Sequence, residues 1–263
     1  IIDYEIKKNY LSFKQISKLA SYATSLGLKK GISFFSEIDT ENFSKIKFDF
    51  YKIPSPVCDN FGLIKKLKSF NKKLIISFGG KSYEEIKKII KLNKLNNKKI
   101  VLMHCISNYP LNEINSNLGF IDELKKKYRK CNVGYSSHEH DIFNSILCLS
   151  KNVDYIERHI TLNKKSKGLD HSSSSEISEL KRFQLYNLNF DKIFFNKNKF
   201  PVNQGEILNR QNLGMSYHFK KDIKKGTKLK KKDIYLKHPN IGITDLNLFK
   251  YLNHKIIKDF KKN

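Results

Sequence analysis

Short runs of apolar and β-branched residues that stop at a polar residue alternate with longer segments in which apolar residues recur every three or four positions. The short runs are typical of buried parallel strands, and the longer segments are typical of amphipathic helices packed on a sheet. The pattern predicts strands at 31–36, 48–55, 73–77, 99–105, 133–138 and 155–161, and helices at 13–26, 40–46, 63–70, 83–92, 118–128 and 141–151. Ser82, followed by Glu85, predicts a capping box at the fourth helix.

Strand and helix therefore alternate six times, and polar residues follow the strands about every 25 to 30 positions. This order predicts an α/β fold of the (β/α)8 TIM-barrel type, with its site on the loops at one face. Six strands are two fewer than a closed barrel needs. Either two N-terminal units are missing from this chain, or the sheet is open. The start within a helical pattern, at Ile1 rather than Met, favours the first alternative.

The last part of the chain has a different pattern. Residues 175–188 predict a helix, after which the chain becomes rich in Asn and Lys and holds Pro201. Short strands and turns follow at 213–219, 222–227 and 233–239, which predicts a small β-rich module. We therefore expect an incomplete barrel domain at 1–190, a linker at 191–205 and a second domain at 206–263.

The charge balance of the chain is strongly basic, with 51 Lys and Arg against 25 Asp and Glu, a net charge of +26. Such an excess suggests nucleic acid only where it is clustered. Here the lysines are scattered over nearly every predicted helix, together with abundant Asn and Ile. We therefore expect no nucleic-acid partner, although a diffuse positive field favours anionic ligands such as phosphates.

Four widely spaced cysteines without a CxxC pair predict reduced thiols and a cytoplasmic protein. We expect no membrane partner, because no apolar run reaches the length needed to span a bilayer.

One histidine stands at the exit of each of two adjacent predicted strands, His138 in the first and His159 in the second. The ends of neighbouring parallel strands lie about 5 Å apart, so the two imidazoles can converge on one divalent ion. The alternative is that each is a buried polar residue with a satisfied hydrogen bond.

Other polar side chains fall at the same rim of the predicted sheet. One cation and several hydroxyls suit a phosphate, whose oxygens each accept two or three hydrogen bonds. Strand-end serines also cap helices, which is the alternative for any single one. The candidate phosphate ligands are Lys52, Ser55, Ser77, Ser107, Tyr109 and Ser136, and Asp170 adds an acid above them. Glu157 and Arg158 are predicted to face the barrel wall or a salt bridge.

Five collinear segments, 52–55, 104–110, 134–139, 156–162 and 168–174, resemble the sialic acid synthase (N-acetylneuraminate synthase) family in order and spacing. The segments 213–216, 223–226 and 237–239 resemble its C-terminal SAF, or antifreeze-like, domain of the β-clip type. The resemblance covers nearly the whole chain.

This resemblance implies a condensation of phosphoenolpyruvate with an N-acetylated hexosamine, such as N-acetylmannosamine, to a sialic-type acid and phosphate. It implies Mn²⁺ or Mg²⁺ on His138 and His159, phosphoenolpyruvate on the strand-end cation and hydroxyls, and the sugar on Asp170 and His238. It also implies a homodimer in which the SAF domain of one subunit closes over the barrel of the other. The alternative is an inactive truncated relative that keeps a carbohydrate-binding or interaction role.

Three positions depart from the family's pattern. Val57 stands where an acid is common, Glu37 where a threonine is common, and His238 where an arginine is common. A carboxylate beside a phosphate would weaken binding unless it points away. The sequence does not determine the acceptor sugar, because the residues that contact the sugar in the family are missing or altered in this chain.

Overall fold

The computed structural model describes residues 7–38, 40–194 and 203–262, and the chain divides into two compact units, 1–194 and 195–263. In the described part of the first unit, helices and strands alternate as α1 (Phe13–Ser25), β1 (Gly31–Ser33), α2 (Thr40–Ser44), β2 (Phe50–Ile53), α3 (Phe61–Ser69), β3 (Lys73–Ser77), α4 (Tyr83–Leu92), β4 (Ile100–Cys105), α5 (Gly119–Lys127), β5 (Asn132–Ser137), α6 (Phe143–Ser150), β6 (Tyr155–Arg158) and α7 (Ile177–Phe194).

All six strands of this unit pair in parallel, each with its neighbours in sequence. The sheet is curled. Lys52 on β2 contacts Glu157 on β6, and Lys73 on β3 contacts Tyr155 on β6. In a flat sheet β2 and β6 would lie about 19 Å apart, because neighbouring strands are about 4.8 Å apart. The six strands therefore form a curled half-barrel with an inner and an outer face.

The outer face carries the main hydrophobic core. Leu74, Ile76 and Leu102 on the strands pack against the helices, for example against Leu63 and Ile86. Each helix presents an apolar stripe to the sheet because its apolar residues recur every three or four positions. The capping box predicted at α4 is present, with Ser82 and Glu85 bonding reciprocally to each other's backbone. In the described residues, no helix combines the length and apolar composition needed to cross a membrane.

The second unit contains α8 (Gln204–Leu213), β7 (Ser216–Phe219), β8 (Ile234–Lys237) and α9 (Asp245–Leu248). β7 and β8 pair antiparallel over a small core of Leu229, Ile234 and Leu248. The strand predicted at 222–227 is wrong, because the chain turns at Gly226 with φ +83° and makes only an isolated bridge between Ile223 and Phe260.

Two helix predictions near the boundary of the units also need correction. Helix α7 continues past Leu188 at least to Phe194, so 191–194 of the predicted linker are helical. The rest of that linker falls largely on 195–202, outside the described residues. Helix α8 has no counterpart in the predictions, although Asn203 caps it through a bond from Glu206 N.

Candidate functional site

The inner face of the half-barrel carries one layer of apolar residues and, next to it, one layer of polar residues. Ile75, Val101 and Met103 pack together with Phe50 and Tyr155, all of them strand residues. Gly134 belongs to the same layer, because a Cβ there would lie 2.7 Å from the Tyr155 carbonyl oxygen. Side chains on one face of a strand recur every two residues. The polar layer therefore lies two positions further along each strand, and its residues are Lys52, Ser77, Cys105, Ser136 and Glu157.

A carboxylate joins two of the predicted phosphate ligands in this polar layer. Glu157 Oε1 contacts Lys52 Nζ and accepts a 2.8 Å hydrogen bond from Ser136 Oγ. The Lys52 and Glu157 side chains are 18% and 26% exposed, so they face the concave side without being sealed from water. The salt bridge predicted as one alternative for Glu157 is confirmed, but it lies on the inner face and its partner is a predicted phosphate ligand. The two-residue spacing of Glu157 from His159 could have shown that both share the inner face.

A second group gathers where β2, β3 and β4 end. Ser55 Oγ accepts a 2.9 Å hydrogen bond from the backbone N–H of Gly79 and lies 3.5 Å from Cys105 Sγ. Ser107 Oγ lies 3.7 Å from the same sulfur. The Ser77 hydroxyl is fully buried and has no hydrogen-bond partner in the part of the chain described. A buried, unpaired hydroxyl is costly, so Ser77 is suited to a ligand oxygen.

Two histidines and a tyrosine stand beside these hydroxyls. The ring centroids of His138 and His159 are 5.5 Å apart, and the Tyr109 ring lies 4.1 Å from His138 and 5.9 Å from His159. His138 Nδ1 is 3.1 Å from the Ile106 carbonyl oxygen, and its Nε2 is 3.4 Å from Ser136 Oγ. The structure thus brings both predicted histidines next to the serine hydroxyls at the strand ends.

Asp170 reaches the same place from the loop after β6. Its Oδ2 lies 3.3 Å from His159 Nδ1. The Asp170 carbonyl accepts bonds from Ser173 N and from Ser174 Oγ, at 3.1 and 2.7 Å. Ser175 then donates to the His159 carbonyl at 2.8 Å, so the loop returns alongside β6. A cavity of about 290 Å³ lies beside His159 and Asp170.

The surroundings hold two of these groups in their neutral forms. Burial, with smaller contributions from His159 and Lys52, lowers the pKa of His138, so its imidazole is uncharged at neutral pH. With Nδ1–H donating to Ile106, the lone pair lies on Nε2. Partial burial, reinforced by the charges of Asp170 and Glu157, raises the pKa of Tyr109 to about 12, so its hydroxyl stays a hydrogen-bond donor.

Residues 3–197 match a family model described as NeuB family. The chain belongs to the NeuB family. Of its relatives, N-acetylneuraminate-9-phosphate synthase of Mus musculus is 33% identical over 179 residues, which cover 67% of this chain and 50% of that protein. N,N'-diacetyllegionaminic acid synthase of Campylobacter jejuni is 28% identical over 263 residues, 98% of this chain and 78% of that one.

A solved structure is also similar to this chain. The N-acetylneuraminic acid (sialic acid) synthetase of Leptospira borgpetersenii, crystallised with citrate, superposes with a TM-score of 0.68 at 27% identity. The alignment covers 78% of this chain and 72% of that one. The aligned part of this NeuB-family chain spans about half the length of the mouse relative.

The NeuB resemblance implies a divalent metal ion, and the donor set fits one in part. His138 and His159 each have one nitrogen held by a second group, Ile106 O and Asp170, as is common for metal-binding histidines. No cluster of three or more His, Cys, Asp or Glu suited to a metal occurs in the described ranges. The protein would therefore supply two imidazole ligands, leaving the other positions to water and substrate.

Two departures from the NeuB pattern lie outside the polar layer. A Cβ at Gly62 would overlap the Glu37 carboxylate, so Glu37 lies against the first turn of α3, where the helix dipole favours an anion. Val57 packs on the outer core. Of the remaining predicted site residues, His238 belongs to the second unit, where its Nδ1 is 3.0 Å from the Gly214 carbonyl oxygen.

Proposed function

We propose that this NeuB-family protein condenses phosphoenolpyruvate and one water with an N-acetylated hexosamine, giving a nonulosonic acid and phosphate: C3 attacks the sugar aldehyde, the water adds at C2, and phosphate leaves from C2. The observation that supports this most is the inner face itself, where a cation and unpaired or weakly paired hydroxyls stand beside two imidazoles. The named relatives make sialic-type and legionaminic-type acids. We also infer that the six strands belong to a (β/α)8 barrel.

The phosphate end of phosphoenolpyruvate is assigned to the polar layer and the strand ends next to it. Lys52 supplies positive charge, and the hydroxyls supply donors to the phosphate oxygens. The buried Ser77 hydroxyl, which has no hydrogen-bond partner within 7–38, 40–194 and 203–262, gains one from the phosphate. The backbone N–H of Gly79 lies at the same place and already holds Ser55. The proposed phosphoenolpyruvate ligands are Lys52, Ser55, Ser77, Ser107, Tyr109 and Ser136.

The acceptor sugar is assigned to the side of His159 and Asp170, next to the cavity there. Asp170 accepts hydrogen bonds from sugar hydroxyls, and the neutral Tyr109 donates one at the boundary between the two substrates. This arrangement orients C3 of phosphoenolpyruvate toward the aldehyde carbon of the open-chain sugar, so that the new C–C bond forms between held groups.

His138 and His159 are the residues that would hold Mn²⁺ or Mg²⁺. Such an ion acts as a Lewis acid on a carbonyl oxygen. The neutral His138 ring, fixed by Ile106, keeps its Nε2 lone pair available for that purpose. Glu157 holds Lys52 and Ser136 at fixed positions until the anionic substrate enters.

The test is an activity assay on the purified protein with phosphoenolpyruvate and a panel of N-acetylated hexosamines, including N-acetylmannosamine and diacetamido sugars. We expect phosphate release that requires an acceptor and equals, mole for mole, a 2-keto acid product identified by mass spectrometry. The surface variant R182A serves as the control with unchanged activity. Absence of acceptor-dependent phosphate release with the whole panel would refute the proposal.

The homodimer and the SAF character of the second unit stay predictions. Sedimentation equilibrium measures the first directly, with a mass of twice 30.8 kDa expected for two copies of this chain.

A further inference from the structure

Arg158 lies behind the site, on the outer face of β6, and its side chain is only 5% exposed. Its Nη1 donates to Ser137 Oγ at 2.8 Å and to the Glu139 carbonyl at 3.0 Å, both at the end of β5. Its Nε donates to Ser175 Oγ at 2.8 Å, on the segment that returns beside β6. One guanidinium therefore joins three segments of chain.

Each of these segments carries a residue of the proposed site. Ser137 and Glu139 are the two neighbours of His138 in sequence, and Arg158 itself precedes His159. Ser175 N donates to the His159 carbonyl at 2.8 Å and closes the loop that begins at Asp170. Successive side chains on a strand point to opposite faces. Contacts on the outer face thus determine where the inner side chains stand.

Glu139, which anchors Arg158 just after β5, is held by several hydrogen bonds of its own. Glu139 is fully buried, and its carboxylate accepts from Tyr135 Oη, Ser137 Oγ and Asn144 Nδ2. Arg158 Nη1 lies 3.6 Å from Glu139 Oε2. A buried carboxylate with this many donors has one favourable position, and removing its cation leaves an uncompensated buried charge.

We propose that Arg158 is a positioning residue that holds His138, His159 and Asp170 in one arrangement from the outer face of the sheet. Its effect on activity rests on the proposed function, but its effect on the geometry of the two rings does not. The planar guanidinium serves β5 and the returning segment at once, whereas a lysine presents a single point charge. A lysine at position 158 would therefore keep the positive charge but could not bond to β5 and to the returning segment at the same time.

The experiment compares R158A and R158K with two controls in the full chain. V133A truncates a buried side chain on β5 and lowers stability without touching the Arg158 contacts. R182A removes an exposed arginine paired with Asp141. The first readout is the nuclear Overhauser effect between the rings of His138 and His159 in histidine-labelled protein. The second is kcat and both KM values at 25 °C, with thermal unfolding recorded for every variant.

We expect R158A to lose the ring-to-ring signal and about 100-fold in kcat, the size that a displacement of about 1 Å produces. R158K should lie between R158A and the natural protein. V133A should keep the signal and kcat despite its lower Tm, and R182A should change neither. The proposal would be overturned if R158A kept the ring-to-ring signal and the kcat of the unsubstituted protein. It would also be overturned if V133A, at a matched Tm, lost as much kcat as R158A.

Should R158A fail to fold, R158K decides the question, because natural ring geometry and kcat in that variant overturn the positioning role. Should the natural protein show no condensation, the proposed function fails. The ring signal then still supports or overturns the role of Arg158.

Discussion

Because Lys52 pairs with Glu157, removing the lysine alone and removing both charges should affect phosphoenolpyruvate binding differently. The variant K52A removes the cation and leaves the Glu157 carboxylate facing the proposed phosphate position. A hydrogen bond to a charged group contributes about 1.5–3 kcal/mol. Because 1.4 kcal/mol corresponds to tenfold, we expect the KM for phosphoenolpyruvate to rise about 10- to 100-fold. The KM for the sugar should change much less.

The second variant, K52A combined with E157Q, should bind phosphoenolpyruvate better than K52A alone. Two unit charges about 4 Å apart interact by about 1 kcal/mol in water and about 4 kcal/mol at a dielectric constant near 20. The Glu157 side chain is 26% exposed, so we take the lower figure as the minimum. Removing the unpaired carboxylate should therefore recover at least about fivefold in KM.

The assay is a double-mutant cycle over the natural protein, K52A, E157Q and the double variant, with each substrate varied at saturating concentration of the other. Urea unfolding of each variant checks that the fold is retained. Equal increases in both KM values for K52A would mean that Lys52 is structural. A double variant no better than K52A would show that Glu157 does not oppose the phosphate.

Three further predictions concern the metal, the phosphate end and the charge of the protein. H138A should abolish metal-dependent turnover with little loss of stability, and full activity of the natural protein in excess chelator would contradict the metal. G79A should raise the KM for phosphoenolpyruvate and lower the free energy of unfolding in urea by about 1–3 kcal/mol. The reason is that the added Cβ would overlap the Ser107 hydroxyl and lie 2.9 Å from Ser55 Oγ. An unchanged KM would contradict this crowding. DNA binding should be weak and lost at physiological salt, whereas a tight complex that resists salt would overturn our interpretation of the scattered lysines.

The local elements followed from the sequence because their causes are local. The capping residues and the apolar stripe of α4 lie within a dozen positions, and its predicted bounds agree with the structure. Helix α8 was missed because its apolar pattern is weak and it lies near the Asn- and Lys-rich stretch. None of its residues is buried, so no apolar face marks this helix in the sequence.

The site was predicted in part for the same reason. Residues at the ends of adjacent parallel strands must meet, so His138 and His159 could be paired from the sequence, and the structure brings their rings to 5.5 Å. The contact of Glu157 with Ser136 could have been predicted from the two-residue period of a strand. The contact of Glu157 with Lys52 could not, because β2 and β6 are four strands apart.

The sequence by itself determined the order of strands and helices, the rim at which the polar residues gather and the family of the chain. The tertiary structure alone decided that Lys52 faces a carboxylate, that Ser77 is buried with no partner among the described residues, and that Arg158 joins three segments behind the site. The contact of Lys52 with Glu157 depends on the curl of the sheet, which accumulates over several strand pairs and is encoded in no single segment. The contacts of Arg158 depend on the return of the loop after β6 to Ser175.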